Sequence, residues 1–548
     1  MKTSEQMNLL SDFETDTISV EESAMRLGVS PATIRNWLKT GYLCSGRLGG
    51  ITLDSIKHFE KEVAGKEKLN QRANKSLKDC HDHDSIASTF IRRAKLKNDP
   101  ASSLGDEYQS SLSDSFRNKE GVYYTPYSVV CKLLTKPECD FDHATFCDPC
   151  CGSGNFIIRA LELGFKPENI YGYDTDPVAI EITKARIREF CGYESSNILE
   201  ADFLQIASKD NISKFNFIYT NPPWGKKLPK DEKEHLGNQL RAGSSIDTSS
   251  LFFFACLECL HDNGTLGLLL PEAFFNISTF ESARLKSLSF SITRLIDFGK
   301  PFKGLVTKAQ AIVLSKKTAT QNDKVICESS GNSIVRPAAS FSCNPKSILN
   351  LHCDNESADT IEYLFSIPHV TLTGQASWGL GIVTGNNDKF IRASKLDGYI
   401  PVFKGADISK SELKPPSNYI PADLSLYQQV APRHIYEAKE KLIYKFISSR
   451  LCFFYDTNQR YVLNSANILI PNDNFPVSTK LLGELLSSDF MNWIFACIFN
   501  TAKILKGDIE TLPIYPQFLG EVTEFCELSY LNNLNIEKKT NGTYRVKK

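Results

Sequence analysis

The stretch Phe146-Cys-Asp-Pro-Cys-Cys-Gly-Ser-Gly-Asn-Phe156 decides the fold class. An apolar strand, Thr145–Asp148, runs into a glycine-rich turn, and Ile157–Leu163 continues as a helix. Such a turn lets a ligand approach the backbone closely and sets it at a helix N-terminus, on the carboxyl edge of a sheet. A bare G-x-G serves many nucleotide folds. Here the spacing is not that of a dinucleotide fingerprint, and an Asp-Pro precedes the glycines.

Outward from this turn, residues Gly121 to about Lys317 alternate short β-like runs with helical stretches, the pattern of a parallel sheet covered by helices. The predicted strands are Thr145–Asp148, Asn169–Asp174, Phe215–Thr220, Gly264–Leu270, Ile292–Asp297 and Gln310–Leu314. The second ends in Asp174, where a carboxylate is placed to accept both hydroxyls of a ribose. Asp202, in Ala201-Asp-Phe-Leu204, offers a third acidic loop suited to an adenine amino group. Any one of these acids reads equally well as a helix cap or surface turn; three at successive strand ends indicate an adenosine-containing ligand.

Phe215-Asn-Phe-Ile-Tyr-Thr-Asn221-Pro-Pro-Trp224 carries the chemistry. Two prolines fix the local path, so the Asn221 side-chain oxygen and the Pro222 carbonyl stand rigidly at the end of a buried strand. Both are acceptors, matched to the two N–H groups of an exocyclic amine. Trp224 adds a face for stacking a planar base. By chance Asn-Pro-Pro-Trp would be a turn, but an apolar strand and three acids precede it.

Together these motifs resemble the adenine-N6 DNA methyltransferases in the motif order of the gamma class, over most of residues 120 to 515. The resemblance implies a Rossmann-like methyltransferase core, S-adenosylmethionine as cofactor and methyl transfer to N6 of a flipped adenine in duplex DNA, without metal. Carried across, Thr125 of Gly121-Val-Tyr-Tyr-Thr-Pro126 would touch the methionine part; Asp148, Cys150, Gly152 and Gly154 form the main cofactor motif. Asp174 would bind the ribose and Asp202 the cofactor adenine. Asn221, Pro222, Pro223 and Trp224 match the catalytic motif, with Trp where Tyr or Phe also occurs. Phe302, in Phe298-Gly-Lys-Pro-Phe302, matches the aromatic stacking on the other face of the base, although an ordinary core Phe would read the same.

Residues 321–548 resemble the carboxy-terminal specificity domain of that family, α+β in class. The carrying segments are Trp378–Phe390, Pro401–Gly405, Lys441–Arg450 and Lys506–Pro513. Arg433–Arg460 holds basic residues interleaved with aromatics; Lys445 and Arg450 are the expected phosphate contacts, while the aromatics also fit strand interiors. At the other end, residues 1–63 contain two short amphipathic helices around Gly28, with Ser30-Pro31 opening the second, and Gly46–Leu53 reads as a small wing. This stretch resembles the helix-turn-helix domains of the MerR and excisionase type, with Arg35 and Lys39 facing DNA; two helices packing for dimerisation or any other purpose is the plainer alternative.

Residues 64–115, rich in Lys, Arg and Ser, read as a solvated connector, and 116–320 as the catalytic domain. Within the connector, Cys80, His81, Asp82 and His83 are weak evidence for metal. Sixteen cysteines without a secretion signal read as reduced thiols, with neither disulfides nor a zinc site expected. No apolar run reaches the roughly 20 residues that span a bilayer, so a cytoplasmic enzyme without membrane contact is expected.

With 63 Lys+Arg against 64 Asp+Glu the net charge is −1, which points away from a chain gripping nucleic acid over its whole surface and toward a local cleft. The overall expectation is the modification part of a restriction-modification system; the sequence leaves open whether a separate cognate restriction endonuclease partners it. Methylation of an rRNA base or a protein glutamine amide is an alternative, which the large specificity domain disfavours. A non-enzymatic DNA-binding regulator is disfavoured by the intact Asn221–Trp224 motif.

Overall fold

A computed structural model describes residues 17–27, 31–39, 43–46, 50–62, 86–96, 100–112, 123–209, 213–226, 228–302, 305, 307–409, 413–501, 503–520 and 522–547. The chain forms two compact units: Met1–Tyr124 with Cys151–Ile158 and Tyr173–Glu200, and Thr125–Cys150 with Arg159–Gly172 and Ala201–Lys548.

In the first unit, β1 (Thr17–Ile18) pairs antiparallel with β2 (Ile51–Thr52). Helix Val20–Leu27 begins with a reciprocal cap: the Glu22 N–H donates to Ser19 Oγ at 3.1 Å, and the Ser19 N–H to the Glu22 carboxylate at 2.8 Å. Ala24, Ile34, Trp37, Ile56 and Phe59 of this helix, Pro31–Lys39 and Leu53–Glu62 share a small core. Where a wing is expected, Gly46 N–H donates to Gly50 O at 3.2 Å, while residues 47–49 lie outside the described residues, as do Gly28 and Ser30.

The connector reading requires correction. Residues 63–85, with the Cys80–His83 cluster, lie outside the described residues, but 86–96 and Ala101–Ser111 are helices. Their Phe90, Ala94, Leu104 and Tyr108 pack on Val178, Ile182 and Ala185 of helix Pro177–Cys191. The apolar residues fall at helical spacing among Lys and Ser, so average composition hides them.

The large sheet comprises β3 (Phe146–Asp148), β4 (Ile170–Asp174), β5 (Ile198–Glu200), β6 (Phe215–Thr220), β7 (Leu260–Pro271), β8 (Phe290–Gly299), β9 (Ala309–Thr318), β10 (Lys324–Ser329) and β11 (Asn332–Pro337). Its order in the second unit is β11-β10-β8-β9-β7-β6-β3-β4; β5 follows β4 in the first unit, to which Tyr173 and Asp174 also belong. Pairs β4-β3, β3-β6 and β6-β7 are parallel, whereas β9 runs antiparallel to both β7 and β8. Strand β6 is buried along nearly its whole length, as a central parallel strand must be. All six predicted strands form; β5, β10 and β11 were not anticipated.

Farther along, β12 (Ala376–Leu380), β13 (Tyr399–Phe403), β14 (Asn418–Pro421), β15 (Lys441–Lys445), β16 (Phe453–Asp456), β17 (Tyr461–Val462) and β18 (Ala466–Pro471) form sheets β12-β18-β15-β16 and β14-β13-β17. Helices Thr479–Leu486 and Asp489–Ile498 bury Leu482, Leu485, Phe490 and Ile494 in the core behind the first of these. Among the described residues no single helix is long and apolar enough to cross a membrane.

Candidate active site

In the first unit the glycine-rich turn is held by backbone geometry that only glycine tolerates well. Gly152 has φ +50 and Gly154 φ +85; a Cβ on Gly152 would stand 2.9 Å from the Tyr124 ring, and one on Gly154 2.9 Å from Thr183. The Thr183 hydroxyl donates to Gly152 O at 2.8 Å, and Arg186 donates to Ser153 O. Asp174 closes the turn: Oδ2 accepts the Gly152 N–H at 2.8 Å, and Oδ1 the Asp176 N–H at 2.9 Å. Burial pushes the Asp174 carboxyl up to about 6, although the N–H bonds from Asp176 and Gly152 pull the other way.

Sequence reading missed several residues that shape this turn. Gly105 of helix Ala101–Ser111 sits so close that a Cβ there would be 2.6 Å from Ser153. Tyr108 donates its hydroxyl to Asp176 Oδ2 at 2.9 Å, while Asp176 Oδ1 accepts Val178 N–H at 2.8 Å and caps the next helix. The Tyr124 hydroxyl is buried with no hydrogen-bond partner among the described residues. Tyr124 appeared in the sequence only as a neighbour of Thr125.

The second unit holds the other expected residues. Asp148 is fully buried at the end of β3, and its Oδ1 accepts the N–H of half-buried Cys150 at 3.2 Å. Thr125 is buried just ahead of helix Tyr127–Leu133. Asp202 Oδ1 accepts Leu204 N–H at 2.9 Å, so this acid also caps the short helix Phe203–Ala207. Cap and ligand-binding roles coexist readily, because a carboxylate has about four lone-pair positions.

Asn221-Pro-Pro-Trp224 leaves the carboxyl end of β6, with Pro222 buried and Asn221 half-buried. The Trp224 indole N–H donates to Leu269 O of neighbouring β7 at 3.4 Å. The chain beyond Trp224 is anchored by the Thr248 hydroxyl donating to Lys226 O at 2.7 Å. Phe302, buried, meets the Trp224 ring edge-on, with centroids 5.4 Å apart and planes at 89°. Two aromatics 78 residues apart in sequence thus stand together, one of them directly after Asn221-Pro222-Pro223.

The four residues expected on DNA are scattered. Arg35 is exposed and pairs with Glu21 at 3.0 Å; the Lys39 side chain lies outside the described residues. Lys445 is half-buried at the end of β15, and Arg450 is exposed and paired with Asp489. Within Arg433–Arg460 not every basic residue faces solvent, and several of the aromatics are strand interiors, as the alternative reading had it. Lys441 is fully buried with Asp456 at 2.8 Å, its ammonium also donating to Tyr436 O, and Arg460 shares the same carboxylate. Tyr436, Tyr444 and Phe453 are core residues.

Comparisons with known proteins agree with this geometry. The N-6 DNA Methylase family model matches residues 101–336, and the TaqI-like C-terminal specificity domain matches 400–514. The type II methyltransferase M.VspI of Vibrio sp. (strain 343) is 48% identical over 401 residues, 73% of this chain and 98% of that protein. The chain belongs to the type II methyltransferases. Another relative of this type II methyltransferase, the modification methylase CviBIII of Paramecium bursaria Chlorella virus NC1A, is 28% identical over 201 residues, 35% of this chain and 50% of that protein. Its fold is shared with the type IIL restriction-modification enzyme MmeI solved in complex with DNA: TM-score 0.51, 14% identity, 79% of this chain and 72% of that one. The type II methyltransferase also shares its fold with the DrdV–DNA complex, at TM-score 0.51 and 12% identity over 91% of this chain and 67% of that one. The N-6 DNA Methylase match begins within helix Ala101–Ser111, the element that packs on helix Pro177–Cys191.

Proposed function

We propose that this type II methyltransferase transfers the methyl group of S-adenosylmethionine to N6 of an adenine flipped out of duplex DNA, as the modification enzyme of a restriction-modification system. The observation that carries the reading is the pairing of Phe302 with Trp224, the residue directly after Asn221-Pro222-Pro223.

The residues of the glycine-rich turn suit the cofactor. Gly152 is held where a side chain would strike Tyr124, the Tyr124 hydroxyl has no partner among the described residues, and Asp174 is a half-buried acid next in chain order after the turn. Asp174 would accept the ribose hydroxyls, Asp202 the adenine amino group, and Thr125, Asp148, Cys150 and Gly154 would line the rest. The bound cofactor supplies a sulfonium methyl already activated for transfer.

The protein's own contribution is position. The N6 lone pair of adenine is delocalised into the ring, and N–H groups drawn toward Asn221 Oδ1 and the Pro222 carbonyl concentrate electron density on nitrogen. Trp224 and Phe302 would contact the base and hold it while the two acceptors fix its amino group. As the new N–CH3 bond forms the S–CH3 bond breaks, and one N6 proton leaves to solvent.

The amino-terminal helices Val20–Leu27 and Pro31–Lys39 are read as a helix-turn-helix that docks on DNA, with Arg35 on the exposed side. Expression in a methylation-free host, followed by sequencing for N6-methyladenine, tests the activity and yields the target site. Labelled methyl should enter duplex DNA and be lost with Asn221→Ala. Transfer to rRNA or protein but not to duplex DNA refutes the reading.

A further inference from the structure

The segment Lys441-Leu-Ile-Tyr-Lys-Phe-Ile-Ser-Ser-Arg450 buries its first four residues and then turns an isoleucine outward. Ile447 is 64% exposed. A single exposed apolar residue is ordinary; this one is unusual in how firmly it is presented. Phe446 N–H donates to Ser465 O at 3.1 Å, Ile504 N–H donates to Phe446 O at 2.9 Å, and Ile447 itself bridges antiparallel to Lys503. Four residues on, the Leu451 N–H is tied to Asn492 Oδ1 at 2.7 Å. The backbone is therefore held on both sides while the side chain projects.

Its surroundings are cationic. Lys445 and Lys503 take part in no ion pair among the described residues, and Arg450 shares the Asp489 carboxylate with Lys538. The position is also informative. Asn500, three residues before Lys503 and so at most about 10 Å of chain away, lines a small open cleft with Phe499, Glu272, Gln310 and His352. Glu272 follows directly on β7, the strand whose Leu269 carbonyl holds the Trp224 indole. Through Lys503 and Asn500 the exposed isoleucine is linked to the carboxyl end of β7, the neighbour of the strand that leads into Asn221–Trp224.

We infer that Ile447 is a wedge that enters the base stack of duplex DNA beside the adenine being extruded, with Lys445, Lys503 and Arg450 on the flanking phosphates. Proteins that distort DNA use rigidly held apolar side chains in this way, and extrusion leaves a gap that an isoleucine fills. The inference rests on the adenine-flipping reading above and adds a residue to it.

The test uses the full-length protein and two duplexes carrying its own methylation sequence, one with the target adenine paired to thymine and one with it opposite an abasic site. The second already lacks the base pair that a wedge helps to open. Ile447→Ala should slow single-turnover methylation of the paired duplex at least tenfold, stay within threefold of wild type on the abasic duplex, and bind both within threefold of wild type. Ile447→Leu, which keeps the volume, should retain most of the rate, and 2-aminopurine at the target position should brighten less with Ile447→Ala than with wild type. Equal effects of Ile447→Ala on the two duplexes, whether none or severe, overturn the wedge. Should wild type methylate neither duplex any better than Asn221→Ala does, the adenine reading itself falls, and the wedge with it.

Discussion

Cofactor affinity should depend on pH through Asp174. Burial raises this carboxyl to about 6, from an ordinary value of 3.8. To accept ribose hydroxyls it must be ionised. With a pKa of about 6, roughly ten in eleven molecules carry the charge at pH 7 and roughly one in eleven at pH 5. The dissociation constant for S-adenosylmethionine should therefore rise about tenfold between pH 7 and pH 5, equivalent to about 1.4 kcal/mol. The folding sign is the reverse of a salt-bridged aspartate. Because the folded pKa lies above the unfolded one, this group's contribution to stability falls as pH rises from about 4 to about 6, so weaker binding at pH 5 does not arise from unfolding at this site. Isothermal titration calorimetry between pH 5 and pH 7, with Asp174→Asn in parallel, removes titration of the ligand itself. The variant should bind weakly at every pH and show only the ligand's own slope. Parallel profiles for wild type and variant over this range would refute the reasoning.

Gly154→Ala should cost about 1–2 kcal/mol for the left-handed backbone, in addition to displacing Thr183, whose hydroxyl holds the Gly152 carbonyl at 2.8 Å; calorimetry should show cofactor affinity falling more than thermal stability. In the specificity domain the buried ion pair should respond asymmetrically. Asp456→Ala strands the Lys441 ammonium with only the Tyr436 carbonyl and should destabilise by about 3–5 kcal/mol, whereas Lys441→Met leaves Asp456 its Arg460 partner and should cost less. Urea unfolding of the two variants checks the order, and equal losses would contradict it.

How far the sequence is legible follows from which forces act locally. Strand β6 reads correctly at both ends because its run is apolar and prolines stop it. Strands β10 and β11 escape because they lie at the sheet's rim, where Lys324 and Asn332 open short, partly exposed segments. Strand β5 is three residues long with only Ile198 buried. Helix Ala101–Ser111 looks like linker because its buried stripe is Ala101, Leu104, Gly105 and Tyr108, two of them small. The candidate motif Asn221–Trp224 is legible from chain order alone, but the approach of Phe302 to Trp224 depends on how β8 and its following loop fold back. Lys441 shows the limit most sharply. Its charge is plain in the sequence, but the register that sets it opposite Asp456 across β15 and β16 is tertiary, and it places in the core a charge whose residue type reads as surface.

The perpendicular meeting of Trp224 and Phe302 has a further consequence. A base held between two parallel rings needs them roughly 7 Å apart, twice an aromatic contact of about 3.5 Å; at 5.4 Å and 89° the two side chains fill that space with each other. An incoming adenine competes with the enzyme's own ring and must recover about 0.5–1.5 kcal/mol of edge-to-face contact before it gains anything. On the adenine-flipping reading, a base that can also satisfy Asn221 and Pro222 overcomes that threshold, while one offering only a flat face gains little. The aromatic pair then acts as a resident competitor, and selectivity begins before any methyl group moves.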